Sequence, residues 1–341
     1  MKVKLLGITL ASLLIVTGCS GHDKSGKPSE HPNEAAEQEA EPKEYSNTFP
    51  LTGIRTDEAV NQRAVAVMVN NHPKARPQSG LSKADIVYEL LAEGEVTRFL
   101  AIYQSEKPKR VGPVRSARDY YIRLAKGFNS LYILHGYSPE AKELLEQGYM
   151  DHLNGLKYDG TLFKREPSRK APHNSYISFK NILKGAKNHS YNMDTPPGPF
   201  TFLEKEQVNN LGGEAAEEAD VSYHSSQFDV HYEYDSKIQK YKRYTAEELT
   251  VDEETNKPVL IDNLLVIDAP HQVTDSKGRR DIDLQAGGKG YLLQKGKANE
   301  VDWELENDII VPLIHGSEAG FVPGKTWVNV IPDVSDLSIK P

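Results

Sequence analysis

The side chains of this chain that could do chemistry are mostly hydrogen-bond donors. Arginine presents five N–H donors in a planar fork that matches phosphate and carboxylate groups, and imidazole and amide groups add donors of their own. Such side chains recur between positions 71 and 174 of the 341-residue sequence. This pattern predicts a site for an anionic ligand. The members of the predicted site are Asn71, His72, Arg76, Arg98, Arg115, Arg118, His135, His173 and Asn174.

Two of these arginines, Arg115 and Arg118, lie in residues 111–126, which are predicted to form a helix opened by Pro113 because proline suits the first helical turn. A separation of three residues places them on one helix face. That face lies beside unpaired amides and the positive end of the helix dipole, where cations are unfavourable. The pair therefore suits a bound phosphate or carboxylate. Alternatively, carboxylates of the fold itself neutralise both arginines.

A β-hairpin is predicted for residues 86–93 and 96–104, because Gly94-Glu95 is a two-residue turn with glycine first. Such a turn pairs residues whose numbers sum to the same value. Leu91 is then expected to face Arg98.

Two carboxylates of this hairpin, Glu89 and Glu93, are expected to flank Arg98 on one face of the sheet. They form either a structural ion cluster or a catalytic pair of carboxylates. Together with Asp119, they are also the groups that could neutralise the two helix arginines. The sequence leaves these alternatives open.

Two histidines lie where ligands often bind. Residues 130–136 are predicted to form a strand that ends at His135, and the carboxyl end of a strand before a helix is a common ligand site. His173 and Asn174 lie in a polar segment that precedes a predicted helix ending near Lys187. These two residues contact a ligand, or they form only a loop and a helix cap.

These residues support functions of two classes. The first is a non-catalytic binding protein of the cell envelope that recognises an anionic glycopolymer, a peptidoglycan fragment or a protein partner. The second is a cell-envelope hydrolase that uses Glu89 or Glu93 with His135 or His173 as acid and base. Binding is favoured, because the sequence has no His-Glu-x-x-His, Gly-x-Ser-x-Gly or Ser-x-x-Lys motif. Neither a cofactor nor a metal site is predicted.

The start of the chain predicts where the protein works. Lys2 and Lys4 precede an apolar run, Leu5 to Val16, that suits a signal peptide and is shorter than the roughly 20 residues of a membrane span. Cleavage after residues 1–18 would leave Cys19 to carry a diacylglyceryl-type lipid. The alternative is an ordinary secretory signal beside an unrelated cysteine. We predict a lipid-anchored protein on the extracytoplasmic face of the cell membrane.

Charge and cysteine content exclude several functions. The formal net charge is −8, and removal of residues 1–18 takes away two lysines and no acids, so the mature charge is −10. General nucleic-acid binding is therefore not expected, because it usually needs a basic surface. Cys19 is the single cysteine, so a lipid on it leaves no thiol for a disulfide, a nucleophile or a thiolate metal site.

Composition divides the rest of the chain into a tether and two domains. Residues 19–50 are polar, rich in Glu and Pro, and predicted to be a disordered acidic tether. Residues 51–195 mix predicted strands and helices, residues 196–222 form a polar linker, and residues 223–338 contain short alternating strands. The predicted fold class is α+β, with an N-terminal mixed α/β domain and a C-terminal β-rich domain.

Seven short motifs carry a family resemblance that covers nearly all of residues 55–338. They run from Ala64 to Pro73, Ala75 to Leu81, Ala84 to Glu89, Thr97 to Ala101, Gly112 to Arg118, Ala171 to Asn174 and Pro323 to Trp327. Through them the chain resembles the YerB-like lipoproteins of Gram-positive bacteria, a family named for a domain of unknown function. The resemblance implies a membrane-anchored envelope lipoprotein with an N-terminal α/β domain and a C-terminal β-rich domain, and it supplies no reaction.

Overall fold

The structure is a computed structural model that describes residues 44–341. The predicted signal peptide, residues 1–18, and the predicted lipidation site, Cys19, lie outside the described residues, as does the predicted tether up to residue 43. Residues 44–341 form one compact unit. None of the helices in this part of the chain is long and apolar enough to cross a membrane.

Strands dominate the described residues. In the first half they are β1 (Asn47–Thr48), β2 (Arg55–Thr56), β3 (Val65–Asn70), β4 (Ile86–Glu93), β5 (Val96–Tyr103), β6 (Arg110–Val111), β7 (Leu131–Leu134), β8 (His152–Asn154), β9 (Phe163–Arg165) and β10 (Ser175–Ser178). In the second half they are β11 (Glu214–Ala215), β12 (Glu218–Val221), β13 (Val230–Asp235), β14 (Lys240–Thr245), β15 (Glu248–Leu249), β16 (Leu260–Ile261), β17 (Asn263–Asp268), β18 (His271–Val273), β19 (Arg280–Ile282), β20 (Gly288–Gln294), β21 (Lys297–Glu306), β22 (Ile309–Ile314), β23 (Ser317–Glu318), β24 (Thr326–Ile331) and β25 (Leu337–Lys340). The helices are α1 (Asp119–Gly127), α2 (Pro139–Glu146), α3 (Gly155–Tyr158), α4 (Phe179–Asn188) and α5 (Lys205–Asn209), with short 3-10 turns at Pro73–Ala75, Leu81–Lys83 and Val334–Asp336.

One central sheet contains strands from both halves of the chain. Its order is β23-β22-β21-β20-β17-β24-β4-β5-β3-β7-β8, and β11 pairs with β21 at its side. Strands from the two halves of the chain meet where β24 lies parallel to β4, and there Asn329 faces Glu89. A second sheet has the order β15-β14-β13-β12-β25, with β16 paired to β14.

Apolar clusters cover both faces of the central sheet. Strand β3 is buried at every position, as a central strand covered on both faces requires. Its alternate residues divide between two clusters, because strand side chains point to opposite faces in turn. Val67 packs with residues of α4 and the second sheet, whereas Ala66 packs with residues of α1 and α2. The central sheet is therefore the middle of three layers.

The predicted hairpin is confirmed, but its register differs from the prediction. β4 and β5 join at the predicted turn, and a β-bulge between Leu91 and Glu93 shifts the ladder, so that Leu90 rather than Leu91 faces Arg98. A one-residue shift moves a side chain to the other face of a sheet. Glu93 therefore lies with Arg98 on one face, while Glu89 lies on the other. The expectation that Arg98 lies between both carboxylates is wrong.

The helix predicted for residues 111–126 begins later than expected. α1 starts at Asp119, and Arg118 is its N-cap. In the preceding segment, the backbone amide of Arg115 donates to the carbonyl of Met68 at 2.9 Å. Pairing of this kind holds the segment alongside β3, so its backbone groups are not available for helical bonds. Neither arginine lies inside a first helical turn.

Two predicted boundaries also differ from the structure. β1 lies within the predicted tether and pairs with β2. α5 and β11 lie within the predicted linker, and β11 adds to the central sheet by pairing with β21. The predicted linker therefore belongs to the folded unit.

Candidate anion-binding site

Two arginines share one glutamate at the end of the β4–β5 hairpin. Glu93 accepts from Nη2 of Arg98 at 2.7 and 2.6 Å, and it also accepts from Nη2 of Arg118. Nη1 of Arg98 donates to the carbonyl of Ser116 at 2.6 Å, which fixes the guanidinium plane. Burial opposes ionisation of Glu93, but Arg98 and Arg118 outweigh it and hold the pKa of this carboxyl below its ordinary value. One carboxylate therefore neutralises only part of the charge of this arginine pair.

Arg115 lies beside this pair, and its guanidinium makes no hydrogen bond or ion pair with the described residues. Its Nε is buried and has no partner. Burial, followed by the charge of Arg98, lowers the pKa of Arg115 to about 10, against the attraction of Glu93. A largely buried cation without a partner is costly. An anion that reached Arg115 would relieve that cost.

His72 and His173 stack near Arg115. Their ring centroids are 4.4 Å apart, and the rings are inclined by 30°. Burial is the main cause that lowers the pKa of both rings, and nearby positive groups that include Arg115 add to it. The pKa of His173 falls to about 4. Both rings are therefore neutral at pH 7.

Hydrogen bonds assign the same tautomer to both rings. The backbone amide of Lys74 donates to Nδ1 of His72 at 3.1 Å, and Nδ2 of Asn70 lies 2.8 Å from Nδ1 of His173. Oδ1 of Asn70 accepts from the backbone amide of His72 at 3.0 Å, so the NH₂ group faces His173. Each ring therefore carries its proton on Nε2. Neither Nε2 has a partner within residues 44–341, so the stack offers two further donors beside Arg115.

His135 directly follows β7, and its backbone amide donates to the carbonyl of Arg115 at 2.9 Å. Nη2 of Arg165 lies 3.1 Å from Nε2 of His135, and arginine can only donate, so Nε2 accepts. Nδ1 therefore carries the proton and donates to Oγ of Ser175 at 2.8 Å. Nη2 of Arg165 also donates to Oδ2 of Asp159 at 2.9 Å, and this ion pair positions Arg165. Ser175 is 1% exposed, and a ring that donates to its hydroxyl cannot activate it as a nucleophile.

Glu89 forms a buried ion pair with Arg243 on the other face of the sheet. Nη2 of Arg243 donates to both carboxylate oxygens at 2.9 and 2.8 Å, and the two side chains are 0% and 1% exposed. Thr97 and Trp327 also donate to the carboxylate, at 2.9 and 3.2 Å. The Trp327 ring centroid lies 4.9 Å from the guanidinium carbon. The Glu89–Arg243 pair connects β4 to β14 and is enclosed by protein.

Three predicted ligand residues lie apart from Arg115. Nδ2 of Asn71 donates to Glu89 at 3.2 Å, and Nε of Arg76 donates to Oδ1 of Asn71 at 3.1 Å. Both line a cavity of about 150 Å³ next to the buried pair. Asn174 lies in the loop before β10, where it accepts from Arg165 at 3.0 Å. Asn71 and Arg76 therefore support the buried pair, and Asn174 supports a loop.

The structure groups most of the predicted donors around one arginine. We call this group the Arg115 cluster, and its members are Arg98, Arg115, Arg118, Glu93, His72 and His173, with His135 at its margin. Neither predicted carboxylate contacts a histidine, because Glu89 is bound by Arg243 and Glu93 by arginines. The predicted acid–base pairing is thus not formed. In the part of the chain that the structure describes, no group of three or more His, Cys, Asp and Glu side chains could hold a metal ion.

Sequence reasoning missed Arg243, Asn70 and Arg165. Arg243 has a readable signal, because β14 alternates and Arg243 occupies a buried position between buried Tyr241 and Thr245. A charged residue at an inward strand position needs a buried partner. Asn70 and Arg165 carry no comparable signal, since their contacts join segments that are distant in sequence.

Comparison with known proteins identifies the family of the chain. Residues 51–192 match the N-terminal domain, and residues 219–328 the C-terminal domain, of a family described as a protein of unknown function, DUF3048. The putative lipoprotein YerB of Bacillus subtilis (strain 168) is 48% identical over 293 residues, which cover 85% of this chain and 88% of that protein. The crystal structure of YerB protein from Bacillus subtilis is similar with a TM-score of 0.81 and 48% identity, over 86% of this chain and 100% of that chain. The chain therefore belongs to the DUF3048 family of YerB-like putative lipoproteins.

Proposed function

We propose that this protein is anchored to the extracytoplasmic face of the cell membrane by a diacylglyceryl-type lipid on Cys19, and that it binds an anionic ligand of the cell envelope without catalysing a reaction. Two observations support the anchor: the sequence around Cys19 and the description of a 48% identical relative as a putative lipoprotein. The ligand is an anionic glycopolymer or an acidic group of a protein partner, and the Arg115 cluster receives it.

The unpaired guanidinium of Arg115 is the observation that carries this proposal. Arg98, Arg115 and Arg118 bring three positive charges, and Glu93 neutralises one of them. A cluster with an excess of two positive charges suits a doubly charged oxyanion such as a phosphate group. The Nε2 donors of His72 and His173 lie beside Arg115 and can bind further ligand oxygens.

The same geometry argues for binding rather than catalysis. Both carboxylates named as acid–base candidates are held by arginines, and the pKa of Glu93 is lowered rather than raised. A general acid at neutral pH needs a raised carboxyl pKa. His135 donates to Ser175 instead of accepting its proton. The cluster thus has donors for an anion and no activated nucleophile.

Replacement of Arg115 by methionine tests the proposed site. For residues 44–341 of the natural sequence, we expect sulfate or inorganic phosphate to raise the melting temperature by a few degrees, because a ligand that binds only the folded state stabilises it. The Arg115→Met variant should lose this anion effect. Without anion it should be at least as stable as the natural sequence, because an unpaired buried cation is removed.

The matched control is Arg55→Met, which removes an exposed arginine on β2. This variant should keep the full anion effect in differential scanning calorimetry. The proposed site is refuted if sulfate and phosphate stabilise Arg115→Met as much as the natural sequence. A fall in the melting temperature of Arg115→Met without anion would instead indicate a structural arginine.

The affinity for sulfate is expected to depend on pH only in acid. The pKa of His173 is about 4, so the ring stays neutral from pH 8 to pH 6 and gains a positive charge as the pH falls toward 4. Glu93 remains ionised longer than an ordinary carboxylate because its pKa is lowered. Sulfate, which keeps both charges over this range, should then bind roughly tenfold more tightly. Isothermal titration calorimetry checks this, and His173→Gln should flatten the increase.

A further inference from the structure

One segment of the chain has a positive net charge, although the chain as a whole is acidic. Residues 151–190 contain eight basic and three acidic residues, a net charge of +5, in a chain whose net charge is −8. Each of the three acids is already paired. Asp151 binds Arg63 at 2.6 Å, Asp159 binds Arg165 at 2.9 Å, and Glu166 binds Arg110 at 2.9 Å. The remaining lysines are therefore not neutralised by the acids of this segment.

Six lysines of the segment are exposed and make no ion pair with the described residues. Lys157 lies on α3, Lys164 on β9 and Lys170 in the loop before β10, and three more lie on α4, namely Lys180, Lys184 and Lys187. Elsewhere on the surface many lysines are paired, as Lys289 is with Asp302 at 2.5 Å. Unpaired cations concentrated on one segment produce a local positive potential that a distributed set does not.

The geometry of α4 separates an inner from an outer face. Ile182 and Ala186 are buried in the core, and Gly185 permits a close approach to Leu153 of β8 because it has no side chain. Lysines 180, 184 and 187, together with Leu183, follow helical spacing and are exposed, so they share the outer face. Leu183 is 41% exposed.

α3 extends this outer face. Its Tyr158 ring centroid lies 5.9 Å from that of His189, which directly follows α4. Leu156 of α3 is 61% exposed, more than any other large apolar side chain of the described residues. Two exposed leucines therefore accompany the unpaired lysines. We call the outer side chains of Leu156, Lys157, Lys180, Leu183, Lys184 and Lys187 the α3–α4 face.

We propose that the α3–α4 face docks on the surface of a membrane that contains anionic phospholipids. A surface with lysines around exposed leucines has the composition of an interfacial membrane contact, in which basic groups meet lipid phosphates and apolar groups enter the headgroup region. The choice of a membrane partner rests on the proposed lipid anchor, which would keep the folded unit near a bilayer. The two acyl chains of a diacylglyceryl-type anchor already hold a protein at the bilayer, so the α3–α4 face would orient the folded unit on the membrane surface.

The test uses residues 44–341 without lipid, since this part forms one compact unit that contains both apolar clusters. It is mixed with vesicles of phosphatidylcholine alone, or with about one third phosphatidylglycerol, at low salt. The bound fraction is measured by sedimentation. We expect binding only to the anionic vesicles, and we expect it to weaken as salt is added, because surface charges are screened.

Two triple variants with the same change of charge distinguish an effect of the α3–α4 face from an effect of the protein's net charge. Lys180→Glu, Lys184→Glu and Lys187→Glu together should weaken vesicle binding by tenfold or more. The control replaces three exposed lysines outside the face, Lys205→Glu, Lys237→Glu and Lys277→Glu, and should bind nearly as well as the natural sequence. Circular dichroism checks that both variants are folded. Equal loss in the two variants would overturn the proposal.

Further measurements test whether vesicle binding depends on the Arg115 cluster and whether the partner is a membrane or a soluble polymer. Leu156→Ser with Leu183→Ser should reduce vesicle binding without changing charge, whereas Arg115→Met should leave it unchanged. Loss of the anion effect at Arg115 would therefore not affect this result. Strong binding to soluble polyphosphate with no binding to anionic vesicles would overturn the membrane proposal in favour of a soluble polyanion.

Discussion

Replacement of Arg243 by alanine is expected to lower the free energy of unfolding by about 3–5 kcal/mol, the usual cost of breaking a buried ion pair. Glu89 is 0% exposed, and Arg243 supplies two of its hydrogen bonds. Without the guanidinium, Glu89 must keep an uncompensated charge or take up a proton. Trp327 donates to the same carboxylate, so its fluorescence during urea denaturation should report the change.

Removal of both charges provides the comparison. The double variant Glu89→Gln and Arg243→Met leaves no buried ion, so it should be less destabilised than Arg243→Ala alone. Lys289→Ala breaks an exposed pair with Asp302 and should change the free energy of unfolding little, because water and salt screen exposed pairs. A loss in Arg243→Ala no larger than in Lys289→Ala would contradict the assigned role of the Glu89–Arg243 pair.

This pair also explains why two regions that match separate family domains form one folded unit. Glu89 lies on β4 in residues 51–192, and Arg243 lies on β14 in residues 219–328. The parallel pairing of β24 with β4 brings Trp327 beside both side chains. Backbone pairing, an ion pair and aromatic packing thus connect the two regions at the same position. Composition could suggest a boundary in the sequence, but it could not show that the sheet continues across it.

Local signals predicted the hairpin well, because Gly94-Glu95 determines where the chain turns. They could not predict the bulge between Leu91 and Glu93, which reverses the face of every residue beyond it. The predicted α1 start failed for a related reason. Pro113 permits a helix, but pairing of Arg115 with Met68 of β3 overrides that local preference. Contacts between distant segments decided both outcomes.

The residue types of the candidate site could be predicted, but not their grouping. Arg115 and His173 are far apart in sequence, and the fold brings their charges into interaction. The fold also assigns Asn71 and Arg76 to the Glu89–Arg243 pair. A list of donors read from a sequence therefore overestimates the number of residues in a site, because some donors bind buried polar groups of the protein itself.

The second large effect is expected for Glu93→Gln, which removes the carboxylate that Arg98 and Arg118 share. Three positive charges would then remain close together around Arg115. At pH 7 and low salt we expect a loss of about 2–3 kcal/mol in the free energy of unfolding, below the range for fully buried pairs because Glu93 is partly exposed. Sulfate should restore part of this loss, since an added anion replaces the missing charge.

The pH dependence of this effect has a definite sign. The folded pKa of Glu93 is lowered, so its contribution is present above the ordinary carboxyl pKa of the unfolded chain and is lost as the pH falls through the folded pKa. The difference between Glu93→Gln and the natural sequence should therefore shrink in acid. Urea denaturation of both proteins at pH 7 and at about pH 3 measures it. A difference that stays constant with pH, or that sulfate does not reduce, would mean that Glu93 acts through its shape rather than its charge. In that case the three arginines would not form the cationic centre on which anion binding depends.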